Sequence, residues 1–198
     1  RILKSELIKH REGLIIGSAC ENNELFQAVL SDRPEAELER IASFYDYLEV
    51  QPISNNRFML YPKTEDEEPI AQDDEELRQF NREIVALGDR LNKMVVATGD
   101  VHFQNPEDEI FRRILLATKN LNDERENPLY FRTTDEMLAE FSYLSPTDAK
   151  RVVIDNTNLI ADMIEPGILP IPDGTFNPII PGAEEDLTRH CWDRAKEW

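Results

Sequence analysis

The chain has 198 residues, enough for one good hydrophobic core or for one domain with part of another. Its 40 acidic side chains against 22 basic ones leave a formal charge of −18. This charge repels phosphate backbones and makes the chain a poor autonomous, nonspecific DNA-binding module, whose usual footprint is basic. Cys20 and Cys191, far apart and in unlike contexts, make no disulfide framework and suit a reducing cytoplasm; no apolar run approaches the length of a membrane span.

In chain order, a short helical start leads to Gly13–Cys20, read as a buried strand flanked by glycines. Leu25, Phe26, Val29 and Leu30 then mark one face of a helix. Pro34 opens the next helix, with Leu38, Ile41 and Ala42 inward. Tyr47–Val50 is a second strand, ended by Pro52, and Asn55-Asn56 beyond it reads as a turn or as a substrate-facing loop. The eight acids between Pro62 and Glu76 read as a solvated loop and an acid-rich helix start; a cation site there lacks a fixed loop geometry. Leu77, Phe80, Ile84, Leu87 and Leu91 form the core stripe of a long amphipathic helix.

Met94–Thr98 is the third expected strand. Asn105-Pro106 starts a helix with acids in its first turn and Arg112 and Arg113 further on. Thr133–Glu136 is a capping box. Ser145-Pro146 opens a longer helix with Val152, Val153, Leu159, Ile160 and Met163 inward. From Pro166 the composition turns proline-rich, an extended connector, and a last amphipathic helix begins near Glu184. The boundary is expected at about residue 165. The N-terminus lacks Met and a signal region, and the C-terminus falls inside a helical pattern, so both ends are expected to be cuts in a longer polypeptide.

The alternation of strands and helices implies parallel strands joined by helical crossovers, an α/β fold of doubly wound or (βα)-barrel type. Such folds put their chemistry at strand carboxyl ends. There the sequence places Gly99-Asp100-Val101-His102 and Cys20, each after an apolar run and before a helix. A carboxylate, an imidazole and a thiolate are common ligands for zinc, manganese or iron, and a helix start beside Cys20 would favour its thiolate. The same residues also read as a hydrogen-bonded Asp–His pair and a small buried hydrophobe. His10 and the pair His190-Cys191 read as incidental surface residues.

Five segments carry a family resemblance: Arg11–Cys20, Tyr45–Pro52, Val95–His102, Tyr130–Leu138 and Asp155–Thr157. With them the chain resembles the C-terminal part of the PHP (polymerase and histidinol phosphatase) domain of bacterial PolC-type DNA polymerase III α subunits. The resemblance implies a partial (βα) barrel of PHP type over residues 1–165. Residues 166–198 then correspond to the connector and first helix of the polymerase palm region. It implies that Cys20, Asp100 and His102 are metal ligands, for zinc or manganese at an intact site, while the His-x-His motif of the early ligands is not in this chain. It further implies a parent that synthesises DNA with magnesium, proofreads with a 3'-5' exonuclease and meets primer-template DNA and other replisome subunits in the cytoplasm. The chain alone would be an inactive scaffold. The alternative expectation is a free-standing PHP-type metal-dependent phosphoesterase, in which bound metals activate water against a phosphate ester.

Overall fold

The computed structural model describes residues 2–62, 68–119, 128–171, 173–175 and 177–198. The expected acidic loop over residues 65–67 lies outside them. The chain divides into two units, Arg1–Ile164 and Glu165–Trp198.

In the first unit, in chain order, come α1 (Lys4–Lys9), α2 (Glu24–Leu30), α3 (Glu35–Ala42), β1 (Tyr47–Val50), a 3-10 helix (Ile53–Leu60), α4 (Asp74–Arg90) and β2 (Met94–Ala97). A 3-10 turn (Pro106–Asp108), α5 (Glu109–Ala117), α6 (Thr134–Glu140), α7 (Pro146–Lys150), a π-helical turn (Arg151–Asp155) and α8 (Asn156–Met163) follow. β1 and β2 pair in parallel, Tyr47 opposite Met94 through Val50 opposite Ala97. The ladder continues one step further, where the Thr98 N–H donates to the Val50 carbonyl at 3.0 Å. Parallel strands need a long crossover, and α4 lies within the stretch that supplies it.

Alternation along β1 decides which face is core, while on β2 Val95, Val96 and Ala97 are all buried. Leu48 and Val50 are buried on β1, and Val95 and Ala97, their partners in register, are buried on β2. α4 packs on this face through Leu77, Ile84 and Leu87. It comes so near that a Cβ on Gly88 would lie 2.3 Å from Val95 Cγ2. Leu25, Val29, Leu38, Ile41 and Phe141 join the same core.

Two expectations about this unit need correction. The strand expected over Gly13–Cys20 is reduced to one bridge, Gly17 with Tyr47, and Leu14 is exposed. This segment runs along the edge of the sheet and makes its bonds to Asp46 instead of a continuous ladder. The Ile16 N–H donates to Asp46 Oδ2 at 2.7 Å and the Ile16 carbonyl accepts from the Asp46 N–H at 2.7 Å.

The long helix expected after Ser145 is interrupted by the π turn. The extra residue rotates the following helix, so that buried Asn156 reaches back and donates from Nδ2 to the Val95 carbonyl at 2.8 Å. After that rotation Leu159 and Met163 face outward, not inward.

In the second unit, α9 (Ala183–Lys196) follows Gly182, whose φ of 80° lies in the left-handed region. Glu184, Glu185 and Asp186 occupy its first turn and Arg194 and Lys196 its last, the order that the helix dipole favours. No helix among the described residues is long and apolar enough to cross a membrane.

Candidate functional site

The Gly17 segment, β1 and β2 run in the same direction. Their carboxyl ends therefore lead to Cys20, to Gln51 and to Thr98–His102 at one end of the sheet. Backbone at two of these ends is left-handed at non-glycine residues, with φ of 57° at Ala19 and 49° at Asp100. Such conformations persist only where the surroundings hold them, and they cluster at functional sites.

Cys20 is half-buried, and burial first of all pushes its thiol pKa up; the Glu21 and Asp100 carboxylates add to the rise, against a backbone hydrogen bond from Asn22. The expected thiolate beside a helix start is therefore not favoured by these surroundings. α2 begins only at Glu24, with Asn23 as its cap.

Glu49, between the core residues of β1, escaped sequence reasoning. Its carboxylate accepts from Thr98 Oγ1 at 2.7 Å, its backbone N–H donates to Ser18 Oγ at 2.9 Å, and burial followed by the Asp100 charge raises its pKa against bonds from Thr98 and Gln51. The signal available was a lone acid on the non-core face of a strand with period 2. Cys20, Glu49 and Asp100 thus share one electrostatic neighbourhood.

Asp100 and His102 are exposed. His102 Nδ1 lies 2.7 Å from the Asp100 carbonyl oxygen and 3.8 Å from Asp100 Oδ1. A carbonyl only accepts, so this contact calls for a proton on Nδ1 and leaves the Nε2 lone pair available. A backbone carbonyl orienting Nδ1–H is a common support for an imidazole that binds metal through Nε2. The donor types therefore suit zinc or manganese. The arrangement alone does not enclose an ion: among the described residues, no group of three His, Cys, Asp or Glu side chains is placed to hold one.

A second feature missed by sequence reasoning is the buried guanidinium of Arg132. Its Nη2 donates to Ser54 Oγ at 3.0 Å and to the Pro128 carbonyl at 2.9 Å, and its Nε lies 3.3 Å from Glu140 Oε1. Asn55 and Asn56, read from sequence as a turn or a substrate-facing loop, are instead buried in the 3-10 helix after β1. Asn55 Nδ2 donates to the Gly99 carbonyl at 2.9 Å, directly behind Asp100. Of the remaining histidines, His10 is exposed at the end of α1, and His190 and Cys191 lie on the exposed surface of α9.

No protein-family model matches the chain. Whole proteins do. The "DNA polymerase III PolC-type" of Clostridium perfringens is 52% identical over 188 residues, which are 94% of this chain and 12% of the relative. That of Caldanaerobacter subterraneus subsp. tengcongensis is 52% identical over 198 residues, 100% of this chain and 14% of the relative. The Bacillus subtilis protein of the same name is 44% identical over 200 residues, 99% of this chain and 13% of the relative. The chain belongs to the PolC-type DNA polymerase III family, as a segment of it. It spans between 12% and 14% of the length of these PolC-type relatives. The matched region takes in both strand ends described above, the Arg132 network and α9.

Proposed function

We propose that the chain is the C-terminal part of a PHP domain, over residues 1–165, followed over 166–198 by the connector and first helix of a palm region. The full-length parent is a replicative DNA polymerase that couples DNA-directed synthesis to 3'-5' proofreading. The observation that carries this reading is the identity of 52% with a PolC-type polymerase along the whole chain. The parallel β1–β2 pair is then an arc of a distorted (βα) barrel. Cys20, Asp100 and His102 are the donors that this arc contributes to a zinc or manganese site, completed by residues outside the chain. The orientation of the His102 imidazole supports this role. Glu49 and Thr98 line the same strand ends.

In this reading the chain is a scaffold. Magnesium serves the polymerase centre elsewhere in the parent, and primer-template DNA and other replisome subunits are met in the cytoplasm through the full-length protein. The test is template-directed nucleotide incorporation and 3'-5' exonuclease activity in magnesium buffer, by the 198-residue chain and by the full-length parent. The parent is expected to show both activities and the segment neither. Incorporation by the segment alone would overturn the scaffold reading.

A further inference from the structure

We infer that Arg132 is a positioning residue that holds the Gly99–Phe103 turn, and with it Asp100 and His102, from two sides at once. The inference rests on the reading of those two residues as metal donors. The turn has two anchors in the described structure. On one side the Gly99 carbonyl accepts from Asn55 Nδ2 at 2.9 Å. On the other, the Leu129 carbonyl accepts from the His102 N–H at 2.8 Å and from the Phe103 N–H at 3.3 Å, and the Phe131 N–H donates to the Phe103 carbonyl at 3.1 Å.

Arg132 touches both anchors. Its Nη1 lies 3.5 Å from Asn55 Oδ1, and its Nη2 donates to the Pro128 carbonyl at 2.9 Å, next to Leu129. Ser54, beside Asn55, receives the other Nη2 bond and itself donates to Glu140 Oε1 at 2.9 Å. The Tyr130 ring covers the guanidinium at 4.4 Å.

The side chain of Arg132 is 1% exposed, and Glu140 is the carboxylate paired with it. Burying a charge is costly unless its hydrogen bonds are met. Here Nη1 and Nη2 find acceptors in the two segments that grip the turn, while the buried Nε makes no hydrogen bond and has the Glu140 carboxylate 3.3 Å away. The left-handed backbone of Asp100 is the kind of conformation that needs such a grip. A lysine would keep the charge near Glu140 but lacks the planar fork that reaches Ser54, Pro128 and Asn55 together.

The experiment uses the full-length PolC-type polymerase carrying this segment, with Arg132→Met, Arg132→Lys and Asn55→Ala variants and Asp73→Ala, a helix-cap change in another element, as control. Two quantities are measured. One is hydrogen exchange of the peptide covering residues 99–104; the other is the affinity for cobalt(II), read from the thiolate-to-metal absorption that Cys20→Ser removes. Arg132→Met is expected to lose exchange protection in that peptide while β2 keeps its own, and to bind cobalt about ten- to a hundred-fold more weakly, the usual effect of losing a group that orients a ligand. Arg132→Lys is expected to remain defective, and Asp73→Ala to change neither quantity. If Arg132→Met does not fold, Asn55→Ala, which removes the Gly99 link and the Arg132 Nη1 contact with Asn55 while leaving the guanidinium its Ser54 and Pro128 bonds, is expected to loosen the same peptide.

Unchanged exchange in residues 99–104 overturns the inference. So does lost protection with unaltered cobalt affinity. If the parent shows no Cys20-dependent cobalt absorption, the metal reading fails by itself and the exchange measurement decides the role of Arg132.

Discussion

Glu49 is a carboxyl whose surroundings set a pH dependence with a definite sign. Burial, and then the Asp100 charge, raise its pKa above the ordinary value of 4.5, so folding favours its protonated form. Its contribution to stability is present below the ordinary value and is lost as pH rises through the raised folded value. Glu49→Gln should therefore gain stability relative to the parent as pH climbs across that window, read as urea midpoints in chelator-treated protein; a difference that stays flat with pH would contradict this. Gly88 is a steric case. A Cβ there meets Val95 Cγ2 at 2.3 Å and the Lys93 carbonyl at 3.2 Å, inside the core. Gly88→Ala should cost about 1–3 kcal/mol from overpacking, more than the roughly 1 kcal/mol of helix propensity it gains. At Gly17 the obstruction is the outer end of the Tyr47 ring, which can swing, so Gly17→Ala should lower the urea midpoint less. Asp100 and His102 could be picked out as candidates from their spacing and their place after an apolar run. Glu49, Arg132 and Asn55 could not, because their roles depend on distant partners, Thr98 and Ser18 for Glu49, Ser54 and Asn55 for Arg132, and Gly99 for Asn55, which no local pattern encodes.

At the scale of elements, α4 and β2 followed the sequence closely because their signals are strong and local. The stripe from Leu77 to Leu91 has helical period, and the Asp73 side chain accepts from the Glu75 and Glu76 N–H groups at 2.9 Å each. Asp73→Ala removes both bonds and should cost about 0.5–2 kcal/mol of stability, measured by thermal or urea unfolding; no loss would mean that the first turn of α4 is held by other contacts. The strand expected at Leu14–Ala19 was misjudged for a physical reason. The apolar run led to neither a continuous ladder nor full burial: Leu14 is exposed, Ile15 and Ile16 are half-buried, and Ile16 spends its backbone bonds on Asp46. The π turn at Arg151–Asp155 was also illegible, since one inserted residue shifts the helical phase without leaving a composition signal. Directly after it, Asn156 donates to the Val95 carbonyl and ties α8 to β2.

For the whole molecule, the charge of −18 opposes the counterion release that drives nonspecific DNA affinity. The 198-residue chain should bind duplex DNA with a dissociation constant weaker than about a micromolar at physiological salt; tighter binding in a gel shift would show a basic surface that the overall charge conceals. In the proposed function, the strand ends of this segment contribute Cys20, Asp100 and His102 to a metal site completed elsewhere in a PolC-type polymerase. Anomalous diffraction at the zinc and manganese absorption edges, from crystals of the full-length protein, tests it most directly. A metal peak is expected, bonded to Cys20 Sγ at about 2.3 Å and to Asp100 and His102 at about 2.0–2.2 Å if the ion is zinc. A peak held by other residues, or none near these three side chains, would contradict it.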